Sequence, residues 1–243
     1  MLTPIRIGIK KVLAGLALIS VEIITLLVVF GIAFIAFLLI VQRVFISGKT
    51  SFDTNVFYFL SHHETPMNTG MMQIFSFLGA HLFLIPANIV LVTWFLIKKH
   101  KWYSIKIPVI AVSSLLLMFL LKYIFHRSRP LTPLLKVAKG FSFPSGHAMM
   151  SFTFYGLLIA IVWRSTLAGW LKWLLTIILS FLIFAIGLSR VYLRVHYASD
   201  VLAGYCIGCM WLLLALWLLG KMEFFSRKKV DPIVKKDETN VVI

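Results

Sequence analysis

The chain has 243 residues, 60% hydrophobic and only 13% charged, with a formal net charge of +16. A mean hydropathy of +0.97 excludes a water-soluble globule, a disordered chain and a disulfide-stapled module, since soluble chains are about half apolar and about a quarter charged. The apolar residues fall in long blocks, and a span needs about 20 of them. The fold class is therefore all-α: a polytopic membrane protein of six transmembrane helices, with no length left over for a separate soluble domain.

The first block runs from about Val12 to Val41. It is longer than one span needs, so it tilts or starts along the interface. Lys10 and Lys11 precede it and no small-residue cleavage site follows a short apolar core, which marks a retained helix. Residues 42–70 are mixed and polar, with Asp53, His62, His63 and Glu64, and form the longest loop. The second block spans about Met71 to Ile97, the third about Ile105 to Phe125, and a connector with Pro133, Gly140 and Pro144 follows. The fourth, fifth and sixth blocks span about His147 to Trp163, Leu171 to Leu188 and Ser199 to Leu219. The charged tail from Lys221 carries Pro232 and reads as a loose segment. Three units result: an N-terminal helix and outer loop over 1–70, a membrane core over 71–220 and a basic cytoplasmic tail over 221–243.

The positive charge suits anionic headgroups better than nucleic acid, and no nucleic-acid partner is expected. Cys206 and Cys209 lie in an apolar block at helical spacing. Two thiols cannot fill a structural zinc site alone, so they read as small buried residues. Fifteen of the 24 Lys and Arg residues fall on the side of the two termini and the 2–3 and 4–5 loops, and nine on the other. The excess places both termini in the cytoplasm.

Ionisable groups at membrane depth are costly and therefore candidates for function. Three clusters occur, all at block ends on the predicted outer side. In the first, Lys122 and Arg129 stand seven apart before Pro130. On a continuing helix they share one face, and two cations there suit a phosphate. Read alone, the cluster serves equally as interfacial snorkelling. In the second, Ser145, Gly146 and His147 open the fourth block. Ser145 suits an N-cap, Gly146 permits close backbone approach, and free N–H groups at a helix start bind anions. His147 sits where it can donate a proton, and the plain alternative is a capped helix start with an incidental histidine. In the third, Arg190 precedes His196 and Asp200, which are four apart and share a face on a helix. A carboxylate on one imidazole nitrogen fixes the tautomer and makes the other a better nucleophile or base. A structural His–Asp pair capping a helix fits equally well.

Together, Lys-x6-Arg-Pro, Pro-Ser-Gly-His and Ser-Arg-x5-His-x3-Asp resemble the type 2 phosphatidic acid phosphatase (PAP2) superfamily, in order and without substitution at the defining positions. The resemblance spans Lys122 to Asp200, and six helices fit the membrane branch of that family. Residues 1–121 carry no motif. The resemblance implies a PAP2-type helical-bundle core and a lipid phosphatase. His196 would be the nucleophile forming a phosphohistidine, Asp200 its orienting partner, and His147 the proton donor to the leaving oxygen. Lys122, Arg129 and Arg190 would hold the phosphate oxygens, with Ser145 and Gly146 completing the cradle. No carboxylate cluster suited to two metals occurs in the sequence, so no metal or other cofactor is expected.

The expected partners are a lipid phosphate substrate and membrane lipids; oligomeric state is not legible. Polyprenyl diphosphate, phosphatidylglycerophosphate and phosphatidate are the candidate substrates, in a bacterial inner membrane with the site facing the periplasm. A lipid phosphotransferase would use the same motifs, and a non-enzymatic transporter or scaffold is the remaining alternative. His126 and Arg127 lie between the defining positions of the first motif and read as interfacial charge. Arg194 is extra positive charge that would favour a second phosphate on the substrate. His62, His63 and His81 have no metal-ligand pattern around them, and Glu22 reads as a bundle hydrogen bond or a shallow edge residue.

Overall fold

The computed structural model describes the backbone of residues 3–130, 133–134 and 140–240, and side chains at 21, 23–130, 133–134 and 140–227. Glu22 and the side chains of the basic tail beyond Arg227 lie outside the described residues. The helices are α1 (Thr3–Val41), α2 (Ser51–Ser61), α3 (Pro66–Leu78), α4 (His81–Ile97), α5 (Lys101–Phe125), α6 (Gly146–Arg164), α7 (Gly169–Tyr192) and α8 (Ala198–Asn240). A π-helical turn, Gln42–Ile46, closes α1. Among the described residues, five helices are long and apolar enough to cross a membrane, and α3 with α4 makes a sixth candidate, bent by 44°. Every described regular element is helical, as apolar blocks of membrane-spanning length lead one to expect.

The second block differs from a single straight span. Thr65 caps α3, accepting from the Asn68 N–H at 3.1 Å, with Pro66 in the first turn. This start lies inside the segment read from sequence as loop. The helix then breaks at Gly79 and Ala80 before α4 begins. The loop also contains α2, which buries one residue, Asp53. Two further differences concern helix ends. The α5 helix stops at Phe125, where His126 adopts a left-handed conformation with φ of 46°, so Lys122 and Arg129 do not share a helix. The backbone of α8 continues through the basic tail to Asn240, rather than ending in a loose segment. A part-buried ion pair between Lys106 and Glu223, at 2.5 Å, ties α8 to the start of α5, and Arg227 meets Glu223 at 2.7 Å one turn on.

The core sits around α6, which packs against α5, α7 and α8. Ile107 and Ile110 of α5 meet Leu157 of α6 and Leu212 of α8 in one buried cluster. Between lipid-embedded helices, close packing rather than hydrophobic transfer drives association, and small residues permit it. Gly204 and Gly208 of α8 meet α6 in this way. A Cβ at Gly204 would lie 2.8 Å from the Ser145 carbonyl oxygen, and one at Gly208 would lie 3.0 Å from that of Met149. The outward faces keep large apolar side chains exposed, including Ile32, Trp94 and Phe181, as a bilayer allows.

Candidate active site

Because α5, α6, α7 and α8 alternate in direction, the end of α5, the start of α6, the end of α7 and the start of α8 meet at one end of the bundle. These ends carry the three motifs. Ser145 is the N-cap of α6 and is fully buried. Its hydroxyl accepts from the Ala148 N–H at 3.5 Å, and its own N–H donates to the Asp200 carbonyl at 3.0 Å. The second motif is thereby fastened to the third. Gly146 and His147 form the first two residues of α6.

The third motif is folded by its own backbone. The Arg190 carbonyl accepts from the N–H groups of Val195, at 3.1 Å, and His196, at 3.2 Å. This closes the turn between α7 and α8 and brings His196 back over Arg190. His196 precedes α8 rather than lying on it, yet its Nδ1 still stands 3.5 Å from Asp200 Oδ2. That separation is long, and His196 Nδ1 makes no hydrogen bond by geometry. Asp200 Oδ2 also accepts from the Tyr197 N–H at 3.0 Å, capping the helix start. One carboxylate thus caps the helix start and faces the His196 ring.

The first motif reaches the site without helical spacing. Residues 126–130 run along the segment before α6, with the Ser142 N–H donating to the Arg127 carbonyl at 2.8 Å and the Ser142 hydroxyl to the Ser128 carbonyl at 2.9 Å. Arg129 Nε donates to the Gly140 carbonyl at 2.9 Å and its Nη1 to the Val195 carbonyl at 2.7 Å. The same Nη1 lies 3.2 Å from His196 Nε2. Lys122 Nζ donates to the Phe141 carbonyl at 2.5 Å. Arg190 Nη1 donates to Ser76 of α3, while its Nε is buried without a partner.

The tautomer of His196 follows from these contacts. Arginine is a donor only, so Nε2 accepts from Arg129 and carries the lone pair, and the proton sits on Nδ1 facing Asp200. Burial pushes the His196 pKa down to about 4, opposed by Asp200 and reinforced by Arg129 and Arg190. The imidazole is neutral at physiological pH, as a nucleophile must be. Burial also lowers the Arg129 pKa, with Asp200 opposing it. Three cations and an oriented imidazole around one spot can bind a phosphate and attack its phosphorus. A group of three or more metal-ligating side chains does not occur among the described residues.

Other residues fall out differently from their sequence reading. Arg194 is paired with Glu64 at 2.6 Å instead of being left for a second phosphate. His62 and His63 do not differ: both are exposed, with Nδ1 on backbone carbonyls one turn back at 2.8 and 3.0 Å. Arg127 is not interfacial charge: it bridges Asp200 at 2.5 Å and Asp53 at 2.8 Å. Ser76 meets Arg190, and Asp53 and Ser199 meet Arg127, although none of the three belongs to a defining motif position. The one signal in the sequence was the scarcity of acids, which marks Asp53 as costly to keep near a membrane.

The PAP2 superfamily model matches residues 103–223. Phosphatidylglycerophosphatase B of Bacillus subtilis is 26% identical over 196 residues, covering 80% of this chain and 97% of that protein. Undecaprenyl-diphosphatase of Sulfolobus acidocaldarius is 28% identical over 163 residues, covering 65% of this chain and 73% of that protein. The crystal structure of a transmembrane PAP2 type phosphatidylglycerolphosphate phosphatase from Bacillus subtilis matches with a TM-score of 0.73 at 25% identity, over 79% of this chain and 96% of that one. The matched stretch is the one whose helix ends bring the three motifs together, and on that combined ground the chain belongs to the PAP2 superfamily, among its membrane-embedded phosphatases.

Proposed function

We propose that this protein hydrolyses a phosphomonoester or diphosphate of a lipid through a phosphohistidine on His196, without a metal ion. The observation that carries the reading is the division of labour on the His196 ring. Nδ1 faces the Asp200 carboxylate, and Nε2 points into a cluster of cations beside Arg129. A phosphate drawn in by Lys122, Arg129 and Arg190 presents its phosphorus to that lone pair, with Ser145 and the Gly146 N–H at the edge of the cradle.

The Nε2–P bond forms as the P–O bond to the lipid breaks, and His147 gives its proton to the departing oxygen. Water then attacks the phosphohistidine, the P–N bond breaks, and the proton of that water passes to His147. Transfer in two steps replaces one difficult displacement by two easier ones. Asp200 stabilises the imidazolium character that develops on His196. The exposed apolar flanks of the bundle leave the lipid's tails in the bilayer while its headgroup enters the site. Phosphatidylglycerophosphate and an isoprenoid carrier diphosphate are the preferred substrates, supported by what the two relatives are named for. A bacterial inner membrane with an outward-facing site suits both.

The test is phosphate release from a panel of lipid mono- and diphosphates in EDTA, with His196→Ala alongside. The native protein is expected to release phosphate and the variant none. Normal turnover in His196→Ala, or activity lost in EDTA and restored by magnesium, overturns the mechanism. A phosphorylated lipid product in place of free phosphate makes the enzyme a phosphotransferase.

A further inference from the structure

We infer that Asp53 and Arg127 are positioning residues for the reaction, holding the Asp200 carboxylate, and through it the His196 ring, from outside the defining motif positions. The inference rests on His196 being the nucleophile. Asp53 is buried although it lies outside all three motifs. It is 3% exposed on α2, whose Val56, Phe57 and Leu60 are only half-buried against the bundle, and a buried charge persists only when paired and hydrogen-bonded.

All its partners belong to the site. Asp53 Oδ1 accepts from the Ser199 N–H at 2.8 Å, and Oδ2 from the Ser199 hydroxyl at 2.7 Å. The Ser199 N–H is one of the orphan donors in the first turn of α8. Asp53 therefore caps, from a different helix, the element that carries Asp200. Oδ2 also receives Arg127 Nη2 at 2.8 Å. Arg127 Nη1 turns to Asp200 Oδ1 at 2.5 Å and the Ser199 hydroxyl at 2.8 Å. The guanidinium lies over the Tyr197 ring, 4.0 Å from its centroid, which fixes its plane. A planar, five-donor fork suits this double duty, and a lysine does not.

The consequence for Asp200 is specific. With Oδ1 held by Arg127, Oδ2 is the oxygen presented to Tyr197 N–H and His196 Nδ1. Arg127 alone would also cancel the charge that Asp200 offers the ring. Asp53 offsets Arg127, so the pair orients the carboxylate while leaving its net charge available. The other charged and titratable groups facing His196 are Arg129, Arg190 and His147, none of which touches the outer oxygen of Asp200. Asp53 lies outside the 103–223 match, so α2, from the segment read as outer loop, completes a site whose motifs come from elsewhere.

The experiment uses the full chain in detergent with the lipid phosphate that the native protein hydrolyses best. Asp53→Asn, Arg127→Gln and the double variant are compared for kcat, KM, melting temperature and inhibition by inorganic phosphate. Groups that orient metal-bound histidines cost roughly 10–100-fold when removed, and a similar loss is assigned here by analogy. Each single variant is expected to lose about tenfold or more in kcat, with KM and phosphate inhibition within about twofold of native. The double variant is expected to lose less than the product of the two single losses, because each single variant strands the other's charge. A kcat within about twofold of native in both single variants, or a double loss equal to that product, overturns the inference. A loss carried by KM and phosphate inhibition instead overturns it as well. Should the single variants not fold, Ser199→Ala removes only the shared hydroxyl. A smaller kcat loss at unchanged KM is then expected, and native kcat overturns the inference. His196→Ala in the same series separates the two failures: turnover without His196 defeats the nucleophile assignment itself, whereas an inactive His196→Ala beside native-like Asp53 and Arg127 variants defeats only the positioning role.

Discussion

As the proposed nucleophile, His196 has to be buried, uncharged and reactive at once, and its surroundings bear on each condition separately. Burial removes the proton from the working pH range, Arg129 selects which nitrogen keeps the lone pair, and Asp200 faces the other at 3.5 Å. This arrangement has a stability signature. The unfolded chain takes up a proton on this residue near the ordinary histidine pKa of about 6.5, whereas the folded protein does so only near a pKa of about 4. Between those values the unfolded state binds more protons, so stability rises with pH across the window and is lost as pH falls through it. The melting temperature of the native protein is therefore expected to fall relative to that of His196→Ala as pH drops from about 6.5 to about 4. A difference that stays constant with pH counts against a neutral buried His196. The residue's identity as a candidate was legible in the sequence from its spacing to Asp200. The role of Arg127 was not, because the carboxylate that gives it meaning lies 74 residues away in the chain.

At the scale of elements, the apolar blocks carried their own lengths, and α5, α6 and α7 follow three of them closely. The exceptions have local causes. Pro66 and the Thr65 cap start α3 early, inside a stretch whose mixed polarity hides it. Gly79 sits in the break between α3 and α4 because a Cβ there would meet Ile186 at 2.4 Å and the His147 ring at 3.4 Å. The same kind of close approach joins α6 to α8. Gly204 faces the Ser145 carbonyl, a backbone atom that cannot rotate aside. Gly204→Val is expected to push α8 off the start of α6. Overpacking of about 1–3 kcal/mol corresponds to several degrees of melting temperature in a chain of this size. Phosphatase activity is expected to fall with it, because Ser145 and Asp200 are held together across this contact. A melting temperature and activity equal to native would show that the contact is slack.

At the scale of the whole molecule, the alternation of helix direction does the assembling. The ends of α5 and α7 and the starts of α6 and α8 lie at one end of the bundle, and α2 reaches the same end through Asp53. The Lys106–Glu223 pair joins α5 to α8 at the opposite end. With the excess of Lys and Arg on the side of the termini, a reporter fused after Ile243 is expected to report a cytoplasmic position. A reporter active only outside the cytoplasm would invert the bundle and with it the leaflet from which substrate is drawn.

The sequence by itself determined that the chain is a helical membrane protein and which residues are candidates for phosphate chemistry. Hydrophobic block length and the cost of charge near lipid are properties of the local chain, and motif spacing survives without coordinates. Tertiary structure decided how those residues meet. Lys122 and Arg129 converge through a helix that ends early rather than along one face, and His196 pairs with Asp200 from a turn closed on the Arg190 carbonyl. Asp53, Ser76 and Arg127 enter only through contacts between distant segments. Such pairings depend on which helix ends a bundle brings together, and no local pattern of residues encodes that.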